Sequence, residues 1–230
     1  MNQKSSYLGV TLKSLLLLFL VILSAFASLK VMSNFLKDSE WGYVLITFVS
    51  LVISVFCYFL IGRQNSKAKS IICSLIHVFF LGISLGTVSA LFELYFPGIV
   101  SICVFSTIII FLVFLTLFIT GLFKINSKFL KFLSLFSLVL IVITIYMLIV
   151  SIKGFTDEVL TILIVLESII VIFTTLELYQ DFEYVKNEID AGCEKSYEWQ
   201  LSVHLLMGLI NLYVEILRLV YFIFEKKKRK

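Results

Sequence analysis

Nine polar or small residues stand in long apolar stretches near the C-terminal end of this chain, where a membrane would exclude most of them. His204, Gly208, Asn211, Glu215 and Arg218 are spaced i, i+4, i+7, i+11 and i+14, so a helix places all five on one stripe. Glu167, Thr174 and Asp181 recur at intervals of seven, with Glu177 one turn before Asp181. A Glu or Arg at the centre of a bilayer costs about 2.5–3.5 kcal/mol on insertion scales. These side chains therefore belong against other helices or a water-filled cavity. Glu215 and Arg218, one turn apart, can pair within their helix and lower that cost. Gly208 has no side chain, so another backbone can approach closely there. Glu177 and Asp181, two carboxylates a turn apart in low dielectric, resist ionising together, which is the physical basis of a proton-sensitive element. The alternative is that this pair sits solvated at the membrane edge, and that Glu215–Arg218 is purely structural.

The segments that must position these residues are apolar. Of 230 residues, 60% are hydrophobic, 23 are Phe and one is Pro, and the mean hydropathy is +1.09. A membrane-crossing helix needs about 20 apolar residues. Seven such runs lie near 8–32, 41–62, 70–92, 99–123, 129–152, 159–179 and 201–224. A β-barrel would alternate, whereas Ile108 through Leu115 is apolar on every side, and a run of this kind satisfies its backbone in lipid only as a helix. The fold class is therefore all-α: a polytopic membrane protein forming one seven-helix domain over 1–230, with a basic tail at 225–230. The longest connection is 180–200. The first run is too long for the apolar core of a cleaved signal peptide and no small-residue cleavage site follows it.

The net charge of +4 is spread over loops, so it marks topology rather than a nucleic-acid partner. Lys4 and Lys13, then Arg63, Lys67 and Lys69, then Lys124, Lys128 and Lys131 alternate with poorer loops holding Lys37, none, and Lys153. This pattern places the N-terminus in the cytoplasm. The tail Lys226-Lys227-Lys228-Arg229-Lys230 conflicts with it. Either the last segment enters and returns on the cytoplasmic side, or seven full spans export a basic tail; segment length favours seven. A cytosolic tail would also fit a dilysine retrieval pattern. The expected location is the plasma membrane in a bacterium, or an endoplasmic-reticulum or Golgi-type membrane for a eukaryotic or viral protein.

Cys57, Cys73, Cys103 and Cys193 have no pairing or metal spacing and read as small apolar side chains. His77, alone in the third run, reads as a packed neutral histidine, and Glu93 as a loop-side charge. Gly82 and Gly86 have the small-xxx-small spacing of close helix packing.

The closing stretch Ser202–Leu219, SVHLLMGLINLYVEILRL, resembles the final helix of the Bax inhibitor family, commonly written A-L-x-L-Y-L-D-x-I-N-L-F-L-x-L-L-R-L. The match runs through Leu209–Tyr213 and Ile216–Leu219. Leu178-Tyr179-Gln180-Asp181 resembles that family's aromatic-plus-Asp ending of the sixth helix. Phe79–Gly86 is similar to its third-helix pattern, Gly98–Leu112 to its fourth helix, and Arg63 stands where a second-helix arginine is usual. The resemblance implies a seven-helix bundle with the last helix central, and pH-sensitive leak of Ca²⁺ linked to ion homeostasis and protection from cell death. It also implies two aspartates sharing a proton, latched by the arginine. Asp181 matches the first aspartate, but the second position is Gly208, and Leu81 stands where many members have an acid. The usual pair therefore cannot form: either Glu177 or Glu215 partners Asp181 in another geometry, or the switch is lost.

The expected function is a passive leak for Ca²⁺ or other cations, with Asp181, Glu177 and Glu215 as oxygen ligands. Glu167, Asn211 and His204 line the same stripes, and Arg63 or Arg218 pairs with the acids to close the path. The competing reading is a non-transporting regulator that contacts other membrane proteins. An intramembrane zinc hydrolase would need three ligands, and the spacing of His77, His204 and Asp181 gives no reason for them to converge. No ATP-binding or cofactor motif is present, so transport is expected to be downhill and the protein non-enzymatic.

Overall fold

A computed structural model describes residues 4–35, 40–61, 67–120, 139, 142, 143, 145 and 156–229. Six α-helices run through them: α1 Tyr7–Phe35, α2 Glu40–Ile61, α3 Lys67–Tyr95, α4 Ile99–Thr120, α5 Asp157–Asp190 and α6 Glu198–Lys228, with one 3-10 turn at Lys195–Tyr197 before α6. Five of them carry stretches long and apolar enough to cross a membrane, and the fully described apolar part of α4, Ile99–Val113, is shorter. Of the run expected at 129–152, positions 139, 142, 143 and 145 are helical and the rest lies outside the described residues.

The helix ends follow local chemistry. Ser6 caps α1, its Oγ accepting the Gly9 N–H at 3.0 Å. Thr156 does the same for α5 with Val159 at 3.3 Å, and Asp157 and Glu158 in the first turn suit the positive end of the helix dipole. At the far end of α6, Lys226, Lys227 and Lys228 suit the negative end. The one proline, Pro97, falls between α3 and α4, where it interrupts no helix.

The long connection expected at 180–200 is largely helical. α5 continues to Asp190 because Phe182, Val185 and Ile189 recur at helical spacing and are buried. It stops at Gly192, which takes φ +80°. The Gly192 N–H reaches the Ile189 carbonyl at 2.9 Å and the Cys193 N–H the Glu188 carbonyl at 3.3 Å, the paired bonds of a Schellman stop. Asp181 and Glu177 are thus interior to a 34-residue helix rather than at its end. The last segment is also continuous. An entering-and-returning segment needs a break, and α6 runs unbroken for 31 residues, about 46 Å at the usual rise.

The chain divides into two compact units. The first comprises Met1–Pro97 and Tyr184–Met207. In it α1 and α3 meet at small residues: a Cβ on Gly82 would strike Ser24 Oγ and come within 2.7 Å of the Val21 carbonyl, and one on Gly86 would strike Ser28 Oγ and lie 2.8 Å from Ala25 Cα. The expected close packing at Gly82 and Gly86 is present, matched by Ser24 and Ser28 at the same spacing on the partner helix. α2 and α3 join through Thr47 and Thr87 hydroxyls at 2.7 Å. They join again at His77, whose Nδ1 is 2.9 Å from both the Ser54 carbonyl and its Oγ. His77 is buried as expected.

The second unit comprises Gly98–Glu183 and Gly208–Lys230. Leu160, Leu163, Ile170 and Phe222 form its buried cluster.

Candidate functional site

In the second unit α5 and the C-terminal part of α6 run antiparallel. Lys226 donates to Thr161 Oγ1 at 2.7 Å, Arg218 Nε lies 3.2 Å from Glu167 Oε1, and Gly208 faces Asp181. The pairings climb one helix as they descend the other, which aligns the two polar stripes expected from the sequence.

Arg218 holds the centre of this alignment. Its Nη2 donates to Glu215 Oε2 at 2.6 Å, a pair one turn apart on the same helix, while Nε faces Glu167 across to α5. Glu167 has no exposed surface, and neither of its carboxylate oxygens accepts a hydrogen bond. One guanidinium therefore serves two acids, and it is hydrogen-bonded to only one. A carboxylate removed from water without donors is costly unless it is paired well or neutralised.

Asp181 stands further along. A Cβ built on Gly208 would strike Asp181 Oδ2, with Asp181 Cγ at 3.3 Å and Leu178 Cδ1 at 3.1 Å. The missing side chain at 208 is what lets the Asp181 carboxylate lie against the α6 backbone. Glu177 has the carboxylates of Asp181 and Glu215 as its charged neighbours.

The expected residues are thus brought together in part. Glu167, Glu177, Asp181, Glu215 and Arg218 share the second unit around Gly208. Asn211, on the same stripe of α6, is exposed. His204 belongs to the first unit, its ring 5.1 Å from that of Tyr184 at 64°. There it lines a cavity of about 320 Å³ with Tyr58, Tyr184, Tyr197, Glu188 and Gln200. Arg63 lies outside the described residues. His77 is engaged with Ser54. Among the described residues, no group of three or more His, Cys, Asp or Glu is placed to hold a metal ion.

A second buried acid escaped the sequence reading. Glu198, at the start of α6, is 1% exposed and grips the beginning of α1. Its Oε1 accepts the Ser6 N–H at 2.9 Å, and its Oε2 pairs with Lys13, whose ammonium also lies 5.4 Å from the Trp199 ring centre. Gly9 makes room, since a Cβ there would come within 2.6 Å of the Glu198 carboxylate. The Ser5 N–H reaches the Cys193 carbonyl at 2.9 Å, Ser5 Oγ the Glu194 carbonyl at 2.7 Å, and Ser202 Oγ the Val10 carbonyl at 3.0 Å. The only local signal was an acid in a first helical turn; its partners stand 185 to 192 positions away.

The family model described as Bax inhibitor 1 like matches residues 2–225, nearly the whole chain. No curated protein matches the chain.

Proposed function

This chain belongs to the Bax inhibitor family, and we propose on that premise that it is a passive, downhill leak path for Ca²⁺ or a similar cation across its membrane, serving ion homeostasis and cell protection. The observation that supports this most is Glu167: fully buried, with no hydrogen-bond donor to either oxygen and a shared arginine 3.2 Å away. Such a carboxylate is costly to keep ionised and gains from any arriving cation or proton. Arg218 acts as the internal counter-ion that a permeating cation must displace. Glu177, Asp181 and Glu215 supply hard oxygens along the same helix pair. Protonation of Glu177, whose charged neighbours are Asp181 and Glu215, removes a ligand and closes the path. With Gly208 in place of a second aspartate, Glu177 takes the role of Asp181's partner.

The test is Ca²⁺ flux into proteoliposomes between pH 5 and 8. Flux is expected to fall as the pH drops, to lose that dependence in Asp181→Asn, and to become steeper with pH in Gly208→Asp, where two carboxylates meet. No flux from folded wild-type protein, or flux untouched by Asp181→Asn, overturns the reading. Absent flux favours a non-transporting regulator that contacts other membrane proteins, a reading supported by the loss of the second aspartate at Gly208.

A further inference from the structure

The cavity that receives His204 lies wholly within the first unit, and the acid cluster has no part in it. Its walls come from three helix ends. Tyr58, Phe59 and Ile61 are in the last turn of α2, Tyr184 and Glu188 are in the last two turns of α5, and Tyr197, Gln200, Leu201, Val203 and His204 begin α6 and the turn before it. α2, at 22 residues, has about the length that crosses a bilayer, so its last turn stands near the level of the lipid head groups.

The chemistry of the lining is selective. Ile61, Leu201 and Val203 are buried at 3%, 4% and 0% exposure and form an apolar floor. Tyr58, Tyr184 and Tyr197 keep 40%, 47% and 51% of their surface open. Among the described lining residues Glu188 is the one carboxylate, and there is no Lys or Arg. An anion would find no Lys or Arg among the described lining residues. A divalent metal would find a single carboxylate, too few ligands for a hard cation. A bare ammonium would exchange strong hydration for an apolar floor. A cation clothed in methyl groups suits all three features: rings that attract positive charge, a floor that takes the methyls, and one acid to balance the charge.

We propose that this cavity binds a quaternary ammonium group of the choline type, with Tyr58, Tyr184 and Tyr197 as the aromatic wall and Glu188 as the counter-charge. Tyrosines at helix ends commonly belong to the aromatic belts of the interface; here three of them border one cavity beside an acid. The group can come from a phosphocholine lipid or from a free choline-like amine, and both present the same trimethylammonium.

The test uses the full chain in dodecyl maltoside, which carries no choline, titrated calorimetrically with choline chloride, glycerophosphocholine and the neutral isostere 3,3-dimethyl-1-butanol. Choline and glycerophosphocholine are expected to bind in the millimolar range or tighter, and the neutral isostere at least about tenfold more weakly. Glu188→Gln and Tyr184→Leu are expected to weaken binding by about five- to thirtyfold, whereas Tyr184→Phe and Tyr197→Phe, which keep the ring, stay within about twofold. Glycerophosphocholine binding at least about tenfold tighter than choline, with phosphatidylcholine co-purifying from mixed nanodiscs in the wild type but not in Tyr184→Leu, assigns the lipid source. Equal binding of the two assigns the free amine. No binding of either ligand, equal binding of the isostere, or full binding by a folded Tyr184→Leu protein overturns the proposal.

Discussion

Glu198 and Glu167 are both buried acids on helices of this protein, at 1% and 0% exposure, yet their surroundings are opposite. Glu198 has one oxygen on the Ser6 N–H and the other on Lys13. It also sits at the start of α1, where the helix dipole favours a negative charge. Glu167 has a shared guanidinium and no hydrogen bond. Burial alone therefore does not mark an acid as structural or functional; the count of donors does. A carboxylate whose acceptor sites are filled stabilises a fold, whereas one left short of donors is available to protons and cations.

The comparison can be broken by substitution. The largest effect is expected for Glu198→Ala, which strands Lys13 and leaves the Ser6 N–H without its acceptor. A loss of about 3–5 kcal/mol is expected, read as a lowered midpoint in thermal unfolding in detergent. A change as small as that of a surface substitution would mean the clasp contributes nothing. Gly208→Ala comes next, since its Cβ enters the space of the Asp181 carboxylate. Overpacking there should cost about 1–3 kcal/mol, and a neutral result would show that Asp181 can swing away freely. The smallest stability effect is expected at Glu167→Gln, within about 1 kcal/mol of the wild type, because a buried charge is removed while Arg218 keeps Glu215. The same substitution should nevertheless alter Ca²⁺ flux in proteoliposomes. Destabilisation as large as that of Glu198→Ala would erase the distinction between the two acids.

Much of the helix pair was legible beforehand. The spacing of Glu215, Arg218 and Gly208, and of Glu167 and Asp181, follows from the 3.6-residue period of a helix, so the stripes could be drawn without coordinates. Gly82 and Gly86 were readable for the same reason. The limits of α5 were not, because an apolar-run criterion stops at Tyr179 while a half-buried amphipathic stretch carries the helix on to Asp190. His204, on one stripe with Glu215 and Arg218 by its spacing, belongs to the first unit, where it stands beside Tyr184. A stripe says which residues share a face, and neighbouring helices decide what that face meets at each level.

What the sequence by itself determined is the membrane character, the helical class, the family and the polar stripes. Each rests on composition, on runs of adjacent residues or on intervals of a few turns. Only the tertiary structure decided that Glu198 is clasped by Ser6 and Lys13, that Arg218 is shared between Glu215 and Glu167, and that Asp181 rests against Gly208. The physical reason is range. Helical periodicity is set by bonds between residues four apart, whereas the partner of a buried charge is set by packing between segments far apart in the chain, which no local spacing encodes.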